Sequence, residues 1–332
     1  MSLEIESQTR TVDGIDNISM WKSLAALPAA PSAIFLVVAV CVIGAFTNGF
    51  LTVANIQGIL EQAVLISIVA LAVNQVILSG EIDVSTGSLL AVCAFVYGNV
   101  ADVAGPWGAL LAALVVGGLI GTFNGVVSTY ARVPSIITTL GMLFILRGAV
   151  LLFGGAQVLN MAPEWRIFGQ GLLIGIPVTI VLTILVFVAM EIASRHTVWG
   201  RNTIAIGGNE SAARTLGLPI RQTKIVCFVL SGLGCGLAAA VFLGQIGQLQ
   251  ATAATGFELK VIAAVVLGGT SIKGGRGSNV SPIVGAILVG VILNAMTLNR
   301  VPGTFELLVL GSLILGAVSF EGIRQRLLAK GH

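Results

Sequence analysis

Long apolar blocks alternate with short polar, glycine-rich stretches along almost the whole chain, and each block is close to the roughly 20 residues that carry a helix across a hydrocarbon core. The blocks predict about ten spans: Pro31–Thr47, Gly58–Leu78, Thr86–Ala104, Gly108–Tyr130, Pro134–Phe153, Leu172–Ile192, Thr223–Ile246, Glu258–Thr270, Val280–Leu298 and Thr304–Phe320. Several are short or interrupted by glycine. The eighth is too short to cross alone, which makes it either a broken helix or one buried among its neighbours. The expected fold is therefore all-α and polytopic, with a transmembrane domain over residues 31–322, a polar N-terminal segment over 1–30 and a tail over 323–332.

Composition agrees with the pattern: 56% of the 332 residues are apolar and 9% charged, with a mean hydropathy of +1.02. Soluble domains lie far from these values. Basic residues near span ends stay cytoplasmic. With both termini inside, Arg10, Lys22, Arg132, Arg195, Arg201, Arg214, Arg221, Lys224, Lys273, Arg276, Arg324, Arg326 and Lys330 share the cytoplasmic side, Arg166 and Arg300 lie outside, and Arg147 and Lys260 fall at or within the membrane. The formal charge of +3 is thus topological, and nucleic acid is not an expected partner. The segment before the first span has no apolar core, so that span is read as a retained signal anchor, and Met20–Leu27 as a short helix along the inner surface. Cys41, Cys93, Cys227 and Cys235 all fall in spans and are read as packing residues. His196 and His332 carry no metal or catalytic pattern.

The chemistry of an enzyme or a self-contained pump is missing. None of the five lysines stands in a GxxxxGK[ST] loop, and HExxH, GxSxG and a Cys/His pairing are absent. The chain is expected to bind no cofactor, and its energy must come from a gradient or another subunit. An ion-coupled carrier needs ionisable groups in its spans. Here Arg147, Lys260, Glu258 and Glu306 sit toward span ends, where long side chains can snorkel. That disfavours an ion-driven transporter of small polar solutes without removing it, because Asn and Thr can ligate sodium. A membrane scaffold that recruits a cytosolic partner is a third reading.

Three polar segments break the apolar pattern. In Val76–Ala91, Glu81 and Asp83 lie between apolar runs with no basic neighbour in sequence. Either the segment is a plain cytoplasmic turn, or Gly80 and Gly87 break a helix so that backbone, Ser85 and Ser88 line a cavity. Val265–Pro282 carries five glycines in ten residues, Gly268, Gly269, Gly274, Gly275 and Gly277, and its Ile272, Gly277 and Ser278 repeat Ile82, Gly87 and Ser88 at constant offset, as an internal duplication would. In Gly207–Ile225, Asn209 is a good N-cap, Glu210 suits a positive helix end, and Ser211, Ala212, Ala213, Arg214, Thr215 and Leu216 make about two turns before Gly217 stops them and Pro219 redirects the chain. Such a helix is marginal alone in water. Its alanines, Ala212 and Ala213, give it a thin face suited to a groove on another protein, although an incidental connection would also account for it.

These residues resemble the permease subunits of ATP-binding-cassette importers for monosaccharides and related small polar solutes, as in ribose, xylose, galactose and autoinducer-2 uptake. SGEIDVSTGS, Val133–Gly148, Gly200–Leu218 and VIAAVVLGGTSIKGGRGS are similar to four ordered motifs of that family, with Met142 in place of a usual small residue, and the resemblance runs from about residue 50 to 320. It implies that Asn209–Gly217, within a cytoplasmic loop over 194–222, is a coupling helix docking in an ATPase that itself binds ATP and Mg. It also implies a periplasmic or lipid-anchored solute-binding protein, a second permease copy or similar paralogue, and a bacterial inner-membrane location. Candidate pathway residues are Asn74, Gln75, Ser85, Ser88, Asn124, Thr138, Thr139, Asn294 and Thr297, for which helix–helix hydrogen bonding is an equal explanation. The sequence offers no readable solute pocket.

Overall fold

A computed structural model describes residues 29–154, 158–250 and 252–329, with side chains through Ser319. Apolar blocks become helices wherever no Gly/Pro break intervenes: α1 (Ala30–Phe46), α2 (Val53–Leu78), α3 (Thr86–Tyr130), α4 (Ser135–Gly154), a four-residue α5 (Ile167–Gln170), α6 (Val178–His196), α7 (Val198–Gly208), α8 (Glu210–Thr215), α9 (Ile220–Ile246), α10 (Phe257–Leu267), α11 (Val280–Leu298) and α12 (Glu306–Ala329). Six of them, α2, α3, α4, α6, α9 and α11, are long and apolar enough to cross a membrane. The expected surface helix Met20–Leu27 lies outside the described residues, as do residues 330–332.

Three of these elements take a more definite form. α3 is two helices meeting at a kink at Gly105 (φ 69°, ψ 179°), just before Pro106, where the expected spans Thr86–Ala104 and Gly108–Tyr130 adjoin. α12 continues as helix beyond the expected span Thr304–Phe320, to Ala329. The connection over 194–222 carries α7 and, at the expected place, α8. The short eighth block resolves to one of its alternatives: α10 is buried among its neighbours, with Val261, Ala263, Ala264 and Val265 at 0% exposure.

At one end of the bundle, two small antiparallel pairs close the connections. β1 (Leu159–Asn160) pairs with β4 (Gln248–Leu249), and β2 (Leu172–Leu173) with β3 (Ile176–Pro177). Arg166 fastens this end by donating to Met161 O and Gly247 O. Three cysteines are buried as expected, whereas Cys41 is exposed on α1. Lys260 pairs with Glu306 at 2.6 Å and ties α10 to α12.

The core is built on the second half of α3 against α9. Gly117, Gly121 and Gly125 recur every fourth residue on α3, and Gly232 and Gly236 do the same on α9. A Cβ at Gly117 would fall 2.2 Å from Gly232 O, and one at Gly121 would fall 2.3 Å from Phe228 O. The backbones therefore touch, and with lipid tails as apolar as leucine, this close packing is what holds two helices together in a membrane. Gly121→Val should lower the thermal midpoint of the purified protein, since overpacking costs about 1–3 kcal/mol. Gly148→Val, where a Cβ would meet nothing within 4 Å, should leave the midpoint unchanged; equal loss in both would contradict the account.

Candidate functional site

Ser79–Ser85 is the non-helical stretch between α2 and α3, largely enclosed by protein, with Gly80 exposed and Glu81 on the wall of a cavity. Asp83 and Ser85 are fully buried, and the segment is wrapped by side chains from three helices. Ser135 Oγ and Thr139 Oγ1, in the first turns of α4, accept from Ile82 N and Val84 N at 3.2 Å each. Ser231 Oγ of α9 donates to Asp83 Oδ2 at 2.7 Å, while Ser85 N and Oγ donate to Asp83 Oδ1 at 3.0 and 2.6 Å. Asn124 Nδ2 of α3 donates to Ser85 Oγ at 3.1 Å. Most polar groups here are matched, Asn124 Oδ1 and the neighbouring Thr86 Oγ1 excepted, because non-helical backbone inside an apolar protein has no water to turn to.

Two further contacts join this stretch to the polar connection after α6. The first is backbone against backbone. Gly275 N donates to Leu78 O at 2.9 Å, and a Cβ at Gly207 would lie 1.8 Å from Leu78 O and 2.7 Å from Gly275 N. Gly274 (φ +84°) and Gly275 (φ +70°) would clash with Gly80 and Gly208 respectively if they carried side chains. Three segments thus converge at a junction where only glycine fits. Of the other glycines in that run, Gly269 takes a positive φ of 104°, and a Cβ at Gly268 or Gly277 would strike Ser281 O or Thr270.

The second contact is ionic. Lys224 Nζ, in the first turn of α9, donates to Glu81 Oε1 at 2.5 Å and to Glu210 Oε2 at 2.7 Å. Its side chain is 9% exposed, Glu81's 18% and Glu210's 41%. Arg214 adds a bond to Glu210 Oε1 at 2.7 Å within α8. The acid with no cation in its own segment therefore finds one 143 residues away. Lys224 was legible only as a cytoplasmic charge; the signal that would have found it is an unpaired acid between two apolar runs. The hydrogen bond from Lys224, outweighing partial burial, holds the Glu210 carboxyl below its ordinary range. A lowered carboxylate pKa contributes stability above the ordinary value and loses it as pH falls through the lowered one, so the Glu210 arm of this clamp stands at neutral pH and is lost in acid.

α8 is built as its residues dictate. Asn209 Oδ1 accepts from Ala212 N at 3.0 Å and from Ser211 Oγ at 2.7 Å. Gly217 (φ +73°) ends it, with Gly217 N donating to Arg214 O and Leu218 N to Ala213 O, a Schellman arrangement. The thin face is corrected. Ala213 is 2% exposed and faces the protein, because the helix must seat one side on the body to place Glu210 beside Lys224. Ala212, Arg214, Thr215 and Leu216 face outward, Leu216 at 77%.

The expected pathway residues are mostly brought together as fasteners between helices. Asn74 and Gln75 both donate to Asn279 Oδ1, at 3.3 and 2.7 Å, Thr270 Oγ1 donates to Asn74 Oδ1 at 2.7 Å, and Asn279 Nδ2 reaches Ser194 Oγ at 2.6 Å. Asn294 exchanges bonds with Asn55 at 2.8 and 2.9 Å. Thr138 and Thr297 bond to their own helices' carbonyls or the preceding turn. Ser88 is buried with its Oγ unpartnered. Among the described residues, no cluster of His, Cys, Asp and Glu is arranged to hold a metal.

Comparison with known proteins decides what this arrangement belongs to. Residues 55–318, more than half of the chain, match a family described as the branched-chain amino acid transport system / permease component. The chain belongs to this permease family. Similar relatives include the ribose import permease protein RbsC of Escherichia coli (strain K12), 35% identical over 300 residues that cover 89% of this chain and 94% of that protein. The L-arabinose ABC transporter permease protein AraH of Azospirillum brasilense is 35% identical over 83% of this chain and 82% of its own length. The autoinducer 2 import system permease protein LsrC of Yersinia pseudotuberculosis is 33% identical over 84% and 80%. No solved structure matches. As a permease component the protein is a multi-pass membrane transport subunit rather than a catalytic one.

Removing the ammonium should release both anchored segments. In Lys224→Gln, amide hydrogen exchange over 79–85 and 207–218 should accelerate by about tenfold or more, the equivalent of roughly 1.4 kcal/mol. Glu210→Gln should accelerate only 207–218. Exchange in Lys224→Gln that matches the unsubstituted protein would contradict the clamp.

Proposed function

We propose that this permease is the membrane subunit of a binding-protein-dependent ATP-binding-cassette importer, passing a monosaccharide or similarly small polar solute inward by alternating access. The observation that carries the reading is α8, a short capped helix, clamped to the body on its inner side and free on its outer side. The names of the ribose, arabinose and autoinducer-2 relatives support the solute class, although the family's own description speaks of amino acids.

In this reading ten segments enter the inner membrane: α1, α2, the two halves of α3, α4, α6, α9, α10, α11 and α12, of which α10 crosses only part way. Both termini lie in the cytoplasm, as does the connection over 194–222. An ATPase on a separate subunit holds ATP and Mg, and its cleft receives Asn209–Gly217. A periplasmic or lipid-anchored binding protein delivers the solute, and two permeases pair around the pathway. When ATP closes the ATPase dimer, each α8 is displaced. The Glu210–Lys224–Glu81 clamp and the glycine junction carry that displacement into the joint between α2 and α3, and through Ser231 and Ser135 into α9 and α4. Asn74, Gln75, Ser85, Asn124 and Thr139 serve as internal fasteners of these moving bodies.

Charge placed on the outward side of α8 should break docking. Ala212→Glu or Leu216→Glu should abolish co-purification of the partner ATPase and ATP-dependent uptake in reconstituted vesicles, while leaving the permease folded. Uptake that persists without the ATPase, or tracks an imposed ion gradient and collapses with an ionophore, would overturn the proposal in favour of a secondary carrier.

A further inference from the structure

Beside α8, a cavity of about 440 Å³ opens between the end of α3, the turn over 131–134 and the start of α9. Four cations line it, Arg132, Arg214, Arg221 and Lys224, against two carboxylates, Glu81 and Glu210. Both carboxylates are already engaged: Lys224 bonds to each of them and Arg214 bonds to Glu210. Among the described residues no carboxylate pairs with Arg132 or Arg221. Ser128, on the same wall, has a buried Oγ with no hydrogen-bond partner. The cavity is therefore a cationic recess with an idle hydroxyl, which suits a phosphate.

The position of the recess selects what carries the phosphate. Leu119, Phe123, Val126 and Tyr130 lie along one stripe of α3 and are 65%, 55%, 39% and 56% exposed. An apolar stripe of that length on a membrane helix faces acyl chains. It ends at Tyr130, over whose ring the Arg221 guanidinium stands at 4.9 Å from the centroid, and Arg132 follows two residues on, at positive φ (58°), where the chain turns toward α4. Apolar chain and cationic recess are thus arranged end to end, as tails and headgroup are in a phospholipid.

We infer that the recess binds the headgroup of an anionic phospholipid, with its phosphate held by Arg132, Arg221 and Ser128 and its chains lying along the Leu119–Tyr130 stripe. Because Glu81, Glu210 and Lys224 line the same recess, the lipid sits against the clamp that anchors α8. The inference rests on the membrane reading of α3 and α4 but not on coupling to an ATPase, and its test involves no transport.

The full-length protein, in neutral detergent, is offered equal amounts of phosphatidylglycerol and phosphatidylcholine with identical chains, and retained lipid is read by native mass spectrometry. Phosphatidylglycerol should be preferred, and Arg132→Gln, which removes no hydrogen bond or ion pair among the described residues, should reduce that preference about fivefold. Arg201→Gln, exposed on α7, should leave it intact. Phe123→Gln should weaken retention of phosphatidylglycerol without creating any preference for phosphatidylcholine. Equal retention of the two lipids, equal loss in the Arg132 and Arg201 variants, or displacement of the lipid by inorganic phosphate as readily as by added phosphatidylglycerol would each overturn the inference.

Discussion

Non-helical backbone buried in an apolar protein must find every partner within the protein, and Ser79–Ser85 is where this chain meets that constraint. The stretch cannot bond to itself as a helix does, so neighbouring helices have to supply acceptors and donors: Ser135 and Thr139 from α4, Ser231 and Lys224 from α9, Asn124 from α3. Each of those bonds fixes a helix relative to the loop. The arrangement of α3, α4 and α9 around α2 is in this sense a consequence of satisfying seven residues.

The same economy explains why α8 is attached as it is. A six-residue helix has little stability of its own. It is held in place by glycine backbones that approach within contact distance and by one lysine shared between two carboxylates. A buried ion pair is weak evidence for stability, because desolvation offsets much of the attraction. Its value here is geometric. Lys224 connects α8 to the loop on which the transmembrane helices are hung, with no flexible linker in between.

Much of this was legible in the sequence, for identifiable reasons. Apolar block length placed the helices, because the bilayer sets that length. Asn209 and Gly217 bracketed α8, since capping and left-handed termination depend on local residue type. The corner at Gly105–Pro106 was visible as a gap between two expected spans. Long-range pairing was not legible: nothing local couples Glu81 to Lys224, or turns Ala213 inward. Asn74, Gln75 and Asn124 read equally well as pathway or packing residues, and only the fold shows their partners. The Gly117/Gly121/Gly125 and Gly232/Gly236 repeats were present in the sequence as a packing signal and mark the tightest helix pair in the core.

The central claim is that motion at α8 reaches the transmembrane helices through Lys224. The most direct measurement is the ratio of solute imported to ATP hydrolysed in vesicles containing the complete transporter, with and without Lys224→Gln. If the clamp transmits the motion, the variant should still bind its ATPase and hydrolyse ATP while importing several-fold less solute per ATP. An unchanged ratio would contradict the account.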